Sequence, residues 1–182
     1  MKLVRVTAPL GIFFREKIRT LGVPDGVIDH ASARGTAVHS ACAAYALGLW
    51  IPPMSAEIQG YFDSFKAWFD KYVSKVYFVE KEFIDHALGI IGHPDIGCQL
   101  IDGRNLVIDY KTPTGVARSW GPQLAAYLHL ARQDRRYDGG MVLQPRKDGR
   151  PAKAVHYNYA DSDFAVYLSA LNCYRHFNQE EK

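Results

Sequence analysis

An α/β (α+β) fold, with a central mixed β-sheet flanked by helices, is predicted by three features of the sequence. Between Ile58 and Tyr72, the residues Ile58, Tyr61, Phe62, Phe65, Trp68, Phe69 and Tyr72 recur at helical spacing. From Val73 the period changes, and Val76-Tyr77-Phe78-Val79-Glu80-Lys81-Glu82-Phe83-Ile84 is β-branched and aromatic, as strands prefer. Read along the chain, the elements follow the order α-α-β-β-β-α-β-β-α, which places helices against a mixed sheet.

The elements can be justified in turn. Leu3 to Thr7 reads as a short strand and Leu10 to Thr20 as a helix-like piece, after which Leu21-Gly22-Val23-Pro24-Asp25-Gly26 breaks the pattern with turn residues. Ser32 suits the N-cap of an alanine-rich helix running to about Leu47 and closed by Gly48. Pro52-Pro53 separates it from a second helix, capped by Ser55, whose aromatic stripe is packing surface. Leu88-Gly89-Ile90-Ile91 and Ile96 to Ile101 suggest a second strand, with Gly92 and Pro94 marking an irregularity. Asp102-Gly103 is a hairpin turn into Leu106-Val107-Ile108-Asp109-Tyr110-Lys111, so three consecutive strands form a meander. A helix from about Ser119 to Gln133 follows. Strands from Gly140 to Gln144 and Ala154 to Asn158 come next, then a final helix capped by Asp161 or Ser162 and ending near His176.

The 182 residues suit one domain, spanning 1–182. With 48% hydrophobic and 23% charged residues, the composition excludes disordered and collagen-like classes. Lys plus Arg number 22 against 19 for Asp plus Glu; the resulting +3 permits a polyanionic partner without demanding one. No apolar run reaches the roughly 18–20 residues of a membrane span, and the N-terminus, with Arg5 inside its short apolar stretch, lacks a signal-peptide core. Cys42, Cys98 and Cys173 are scattered and odd in number, without a Cys-x-x-Cys pair. These features predict no iron–sulfur cluster and a soluble protein of a reducing compartment, the cytoplasm. Phosphate-binding P-loop, Gly-x-Ser-x-Gly and His-Glu-x-x-His motifs are absent.

What remains is a set of polar residues where a strand core would favour apolar ones. Asp109 and Lys111 follow Leu106-Val107-Ile108, and the two-residue period of a strand puts both on one face with Tyr110 on the other. The hairpin brings Asp95 toward them, and Glu80 and Glu82 share a face one strand further back. Clustered carboxylates repel unless a cation holds them, and oxygen ligands favour Mg²⁺ or Mn²⁺. Taken singly, each piece also suits a plainer role. An Asp-x-Lys pair is commonly a surface ion pair, Glu80 or Glu82 a solvated strand face, and Asp95 a turn residue after His93-Pro94.

In combination and in order, Gly92-His93-Pro94-Asp95 followed by Asp109-Tyr110-Lys111 resembles the PD-(D/E)XK nuclease signature in its RecB-like form. Upstream, Arg34-Gly35-Thr36-Ala37-Val38-His39 is similar to that branch's Arg-Gly-Thr-x-x-His segment, and downstream Gln123-Leu124-Ala125-Ala126-Tyr127 matches its Gln-x-x-x-Tyr helix. The match spans roughly residues 32 to 145, within a motif-bearing core of about 32–160. The resemblance implies a restriction-endonuclease-like α-β-β-β-α-β core and the character of a small stand-alone, phage-type exonuclease. It implies metal ligation by His39, Asp95, Asp109 and the Tyr110 carbonyl. Glu80 or Glu82 would complete the site, Lys111 would assist the attacking water, and Gln123 and Tyr127 would position lysine or phosphate. From the helicase-linked relatives the sequence is expected to depart in carrying no helicase domain.

DNA, double- or single-stranded, is the partner so implied, in recombination, repair or phage DNA processing, with a homo-oligomer or a recombination protein as further partners. Candidate substrate contacts are Arg34, Thr36, Trp120, Arg146 and Lys147, with Arg132, Arg135, Arg136, Arg150 and Lys153 as further phosphate-tracking cations. Each also suits a structural role: helix-end arginines complement the macrodipole, and Trp120 can pack inward. The alternatives are a catalytically silent nucleic-acid- or partner-binding domain of the same fold and an endonuclease acting on branched or nicked DNA.

Overall fold

The computed structural model describes residues 2–11, 22–113, 115–157 and 161–178. The helix-like piece expected over Leu10 to Thr20 falls largely outside them; a helical turn begins at Thr7. Strand β1 (Val4–Arg5) precedes helix α1 (Asp25–Ala46), helix α2 (Ala56–Tyr72) and strand β2 (Val73–Val79). Strands β3 (Phe83–Asp85), β4 (Ile90–Gly92), β5 (Ile96–Leu100) and β6 (Asn105–Tyr110) follow. Helix α3 (Trp120–Ala131), strands β7 (Gly139–Gln144) and β8 (Lys153–Tyr157), and helix α4 (Asp161–Phe177) complete the order.

A five-stranded sheet runs β2-β5-β6-β7-β8. Its neighbours are antiparallel except β6 and β7, which are parallel and joined through α3, the helical crossover that a parallel pair requires. A smaller sheet has the order β1-β4-β3, with β1 parallel to β4. This is the mixed α/β architecture expected.

The structure differs from the sequence-based reading at the start of α1 and in two of the expected strands. Helix α1 starts at Asp25 rather than after Ser32. Pro24 occupies the cap position with extended ψ, and Asp25 lies in the first turn, where a carboxylate complements the helix dipole. Pro-Asp-Gly therefore opens a helix here instead of closing a turn. The α1 C-terminus is as expected: Gly48 takes a φ of 67°, its N–H donates to Tyr45 O and that of Leu49 to Ala44 O, both at 2.9 Å, a Schellman motif. Second, the stretch from Val76 to Ile84 is two strands in two sheets. Glu80 adopts a φ of 50°, ending β2 at Val79, and the chain resumes as β3 in the small sheet. Leu88 to Ile101 divides in the same way into β4 and β5. The meander of the large sheet is β2-β5-β6, with the β3–β4 hairpin as an excursion from it.

Alternation along β6 divides the interior into two layers. Leu106, Ile108 and Tyr110 pack with Val38, Phe65, Cys98 and Met141 beneath α1 and α2, while Val107 packs with Leu124, Leu128, Val142 and Tyr167 beneath α3 and α4. Asp109 lies on the α3 side of this alternation, 4% exposed. Small residues permit the layers to close. A Cβ on Gly97 would lie 2.2 Å from the Phe78 ring, and one on Gly140 would lie 2.6 Å from Leu124. No helix among the described residues is long and apolar enough to cross a membrane.

Candidate metal centre

Strand register converges the acidic residues. Val79 pairs with Ile96, and Ile96 with Ile108. Glu80, Asp95 and Asp109 each lie one residue beyond this registered trio, at the same end of three adjacent strands about 4.8 Å apart. The break at Glu80 belongs to this arrangement. Its N–H donates to the Asp95 carbonyl at 2.9 Å, so the left-handed turn is tied to the neighbouring strand. A non-glycine residue in that backbone region is strained, and such strain concentrates at functional positions.

The helices add groups from both faces. From α1, His39 Nδ1 lies 3.0 Å from Asp95 Oδ1, and the His39 ring meets Tyr110 edge-on at 5.7 Å. Asp95 Oδ2 accepts the Tyr110 N–H, joining the histidine side of the sheet to β6. From α3, Gln123 and Tyr127 are four residues apart and share one helix face. Gln123 Nε2 donates to Asp109 Oδ1 at 3.4 Å and to Tyr127 Oη at 3.3 Å, while Gln123 Oε1 accepts from Lys111 Nζ at 3.3 Å. Lys111 Nζ also pairs with Asp109 Oδ2 at 2.7 Å.

Ligand atoms of His39, Glu80 and Asp95 all lie within 4.8 Å of one another, close enough to share one cation. The donor set of one imidazole and two carboxylates fits a divalent ion that accepts oxygen and nitrogen, Mn²⁺ or Mg²⁺. Protonation states report the same crowding. Burial alone would lower the His39 pKa, yet the Asp95 carboxylate overrides it and raises the imidazole to about 9. Glu80 is raised by partial burial and then by the Asp95 charge. Burial raises Asp109 as well; Lys111 opposes that shift and Asp95 adds to it. For Lys111, burial acts to lower the pKa, and Asp109 outweighs it, so the ammonium keeps its proton. Burial pushes the Tyr127 phenol well up, leaving it a neutral hydrogen-bonding group.

Of the residues expected at the site, the structure therefore brings together His39, Glu80, Asp95, Asp109, Tyr110, Lys111, Gln123 and Tyr127. Glu82 is elsewhere: beyond the break at Glu80 the facing rule of a continuous strand no longer holds, and Glu82 pairs with His93 at 3.2 Å on the exposed surface. Trp120, expected as a stacking platform, is 5% exposed and packs into the core at the start of α3, so its faces are not open to a base. Thr36 is exposed, and its hydroxyl donates to Ser32 O within its own helix. Arg34 lies 3.4 Å from Glu57 and over the Tyr61 ring.

Two of the arginines after α3 are used within the fold. Arg132 donates to Tyr137 O, and Arg135 stacks on Tyr77 at 4.0 Å. At 1.5 Å per residue, Arg132 is roughly 13 Å along α3 from Gln123, too far to serve the same phosphate. Arg146 and Lys147 lie in the β7–β8 loop, which is anchored to α2 by the Arg146 N–H donating to Ser64 Oγ at 2.8 Å. Tyr61, read from the sequence as packing, gathers beside that loop with Thr112 and Gln144, which sequence reasoning did not single out. No local pattern brings the three together, because their meeting depends on the loop docking against α2.

No family model matches the sequence. No curated protein matches it either. Among solved structures the fold is similar to the crystal structure of SSO0001, with a TM-score of 0.50 at 16% identity, covering 98% of this chain and 78% of that one. At that identity the likeness concerns the fold alone, a mixed α/β architecture shared over nearly the whole chain.

Proposed function

We propose that this protein is a Mg²⁺- or Mn²⁺-dependent nuclease of the PD-(D/E)XK type, RecB-like branch, hydrolysing phosphodiester bonds at DNA ends. The observation that carries the reading is the adjacency of two groups: the His39–Glu80–Asp95 cluster, and the Asp109–Lys111 pair held at 2.7 Å beside Gln123. His39, Glu80 and Asp95 are the residues that would hold the ion, with Asp109 beside them engaged by Lys111 and Gln123. When bound, the ion supplies Lewis-acid stabilisation of the phosphate and a more acidic water.

The chain's own groups divide the remaining work. Lys111 is kept protonated by Asp109, so it cannot act as a base; it donates hydrogen bonds to the phosphate oxygens and offsets charge that develops there. Glu80, at the exposed rim of the cluster, is placed to accept a hydrogen bond from the attacking water and orient it, the water's proton passing to solvent. The water oxygen forms a bond to phosphorus as the bond from phosphorus to the leaving sugar oxygen breaks, and solvent protonates that oxygen. Gln123, bonded to Lys111, Asp109 and Tyr127 together, is a positioning residue that fixes the lysine.

The test is degradation of end-labelled linear and circular DNA, single- and double-stranded, with and without Mg²⁺ or Mn²⁺. The expected result is metal-dependent loss of linear substrate, sparing of circles, and loss of activity in Lys111→Ala. Undiminished metal-dependent cleavage by Lys111→Ala contradicts the assignment.

A further inference from the structure

A cavity of about 480 Å³ opens beside the β7–β8 loop, a size in the range of small-ligand sites. Thr112, the residue after Lys111, lines it, so the recess begins one peptide step from the lysine. Its walls are of two kinds. Pro113 and Pro145 supply apolar surface, and Arg146, Lys147 and Lys153 supply positive charge; Tyr61 also lines the recess but is 5% exposed, with Arg34 over its ring.

Asp148, the acidic residue in this lining, is taken by Arg150 at 2.7 Å. Arg146, Lys147, Arg150 and Lys153 face this single carboxylate in the lining, so the recess carries net positive charge. Gln144, 4% exposed, donates through Nε2 to Pro113 O at 2.8 Å, which leaves its Oε1 buried and without a donor among the described residues. A ligand with an anionic part, a flat apolar part and N–H donors matches this lining. A nucleotide has all three.

The recess is also closed along α2. Gly60 lets the Lys147 carbonyl approach so closely that a Cβ would lie 1.9 Å from it, which seals the loop against the helix. A base held in its pair cannot turn into such a recess; it must first leave the stack.

We propose that this cavity receives an unpaired nucleotide of the strand that flanks the scissile phosphate, making single-stranded DNA, or the frayed end of a duplex, the preferred substrate. The inference rests on the nuclease reading for what happens at the metal centre, but occupancy of the recess itself needs no metal. The test is fluorescence anisotropy in EDTA with fluorescein-labelled oligodeoxythymidylate and a blunt duplex over a range of salt. It compares the wild-type protein with a Lys147→Ala/Lys153→Ala variant, both side chains being exposed.

The expected result is tighter binding of the single strand than of the duplex. The variant's salt slope should fall by roughly 1.4, about 0.7 for each single-strand phosphate that is no longer neutralised. Absent single-strand binding, equal or tighter duplex binding, or an unchanged slope overturns the proposal. Cleavage is scored separately. Metal-dependent cleavage with any of those binding results removes the recess and leaves the nuclease, whereas the expected binding without cleavage in Mg²⁺ or Mn²⁺ removes the nuclease and leaves the recess.

Discussion

At the scale of single residues, His39 and Asp95 hold a proton where an ion would sit. The imidazole pKa, about 9, is above its ordinary 6.5. Its contribution to stability is therefore fully present below about pH 6.5 and is lost as pH rises through about 9. In EDTA the melting temperature should fall across that window, and Asp95→Asn should flatten the fall; a profile that Asp95→Asn leaves unaltered would refute the pairing. Gln123 offers a second test. Removing its amide as Gln123→Ala leaves the Asp109–Lys111 pair in place but releases its orientation, and should lower cleavage by about 10–100-fold, as loss of outer-shell partners does. A smaller loss of Mn²⁺ affinity than of turnover would separate positioning from ligation. Asp109, Lys111, Gln123 and Tyr127 were legible in the sequence because strand and helix periods place them without tertiary information. His39 was not legible in that way: on an alanine-rich helix nothing in the periodicity distinguishes a ligand from a packed histidine.

At the scale of elements, the choice between Glu80 and Glu82 depended on where β2 ends. The residues from Val76 to Ile84 are β-forming on both sides of the break, so local propensity had no means of placing the left-handed Glu80, which is held by a hydrogen bond to Asp95 from a later strand. The start of α1 was missed for a related reason, since Pro-Asp-Gly suits a turn and a helix entry alike. The β7–β8 loop gives an element-scale prediction. Gly→Ala inside a helix ordinarily stabilises by about 0.5–1 kcal/mol, but at Gly60 the new methyl group would meet the Lys147 backbone carbonyl, which no rotamer change can relieve. Overpacking of this kind costs about 1–3 kcal/mol, so Gly60→Ala should be a net destabilisation. Urea unfolding should show a lower midpoint at constant slope, and an unchanged or higher midpoint would mean that the loop is not docked as described.

At the scale of the whole molecule, the fold works by bringing one end of three strands between two helical layers. The α1 layer delivers His39, the α3 layer delivers Gln123 and Tyr127, and the sheet delivers the carboxylates and Lys111. The succession of helical and extended regions was legible from their alternating patterns, while the splitting of two expected strands into four, shared between two sheets, was not, because it depends on which strands pair. If this junction is what it is proposed to be, it binds a divalent ion. The most direct measurement of that is titration of Mn²⁺ followed by the electron paramagnetic resonance signal of the free ion. The wild-type protein should show saturable binding that is abolished in Asp95→Asn and weakened in His39→Ala. Absence of binding, or binding that both substitutions leave intact, would contradict the proposal.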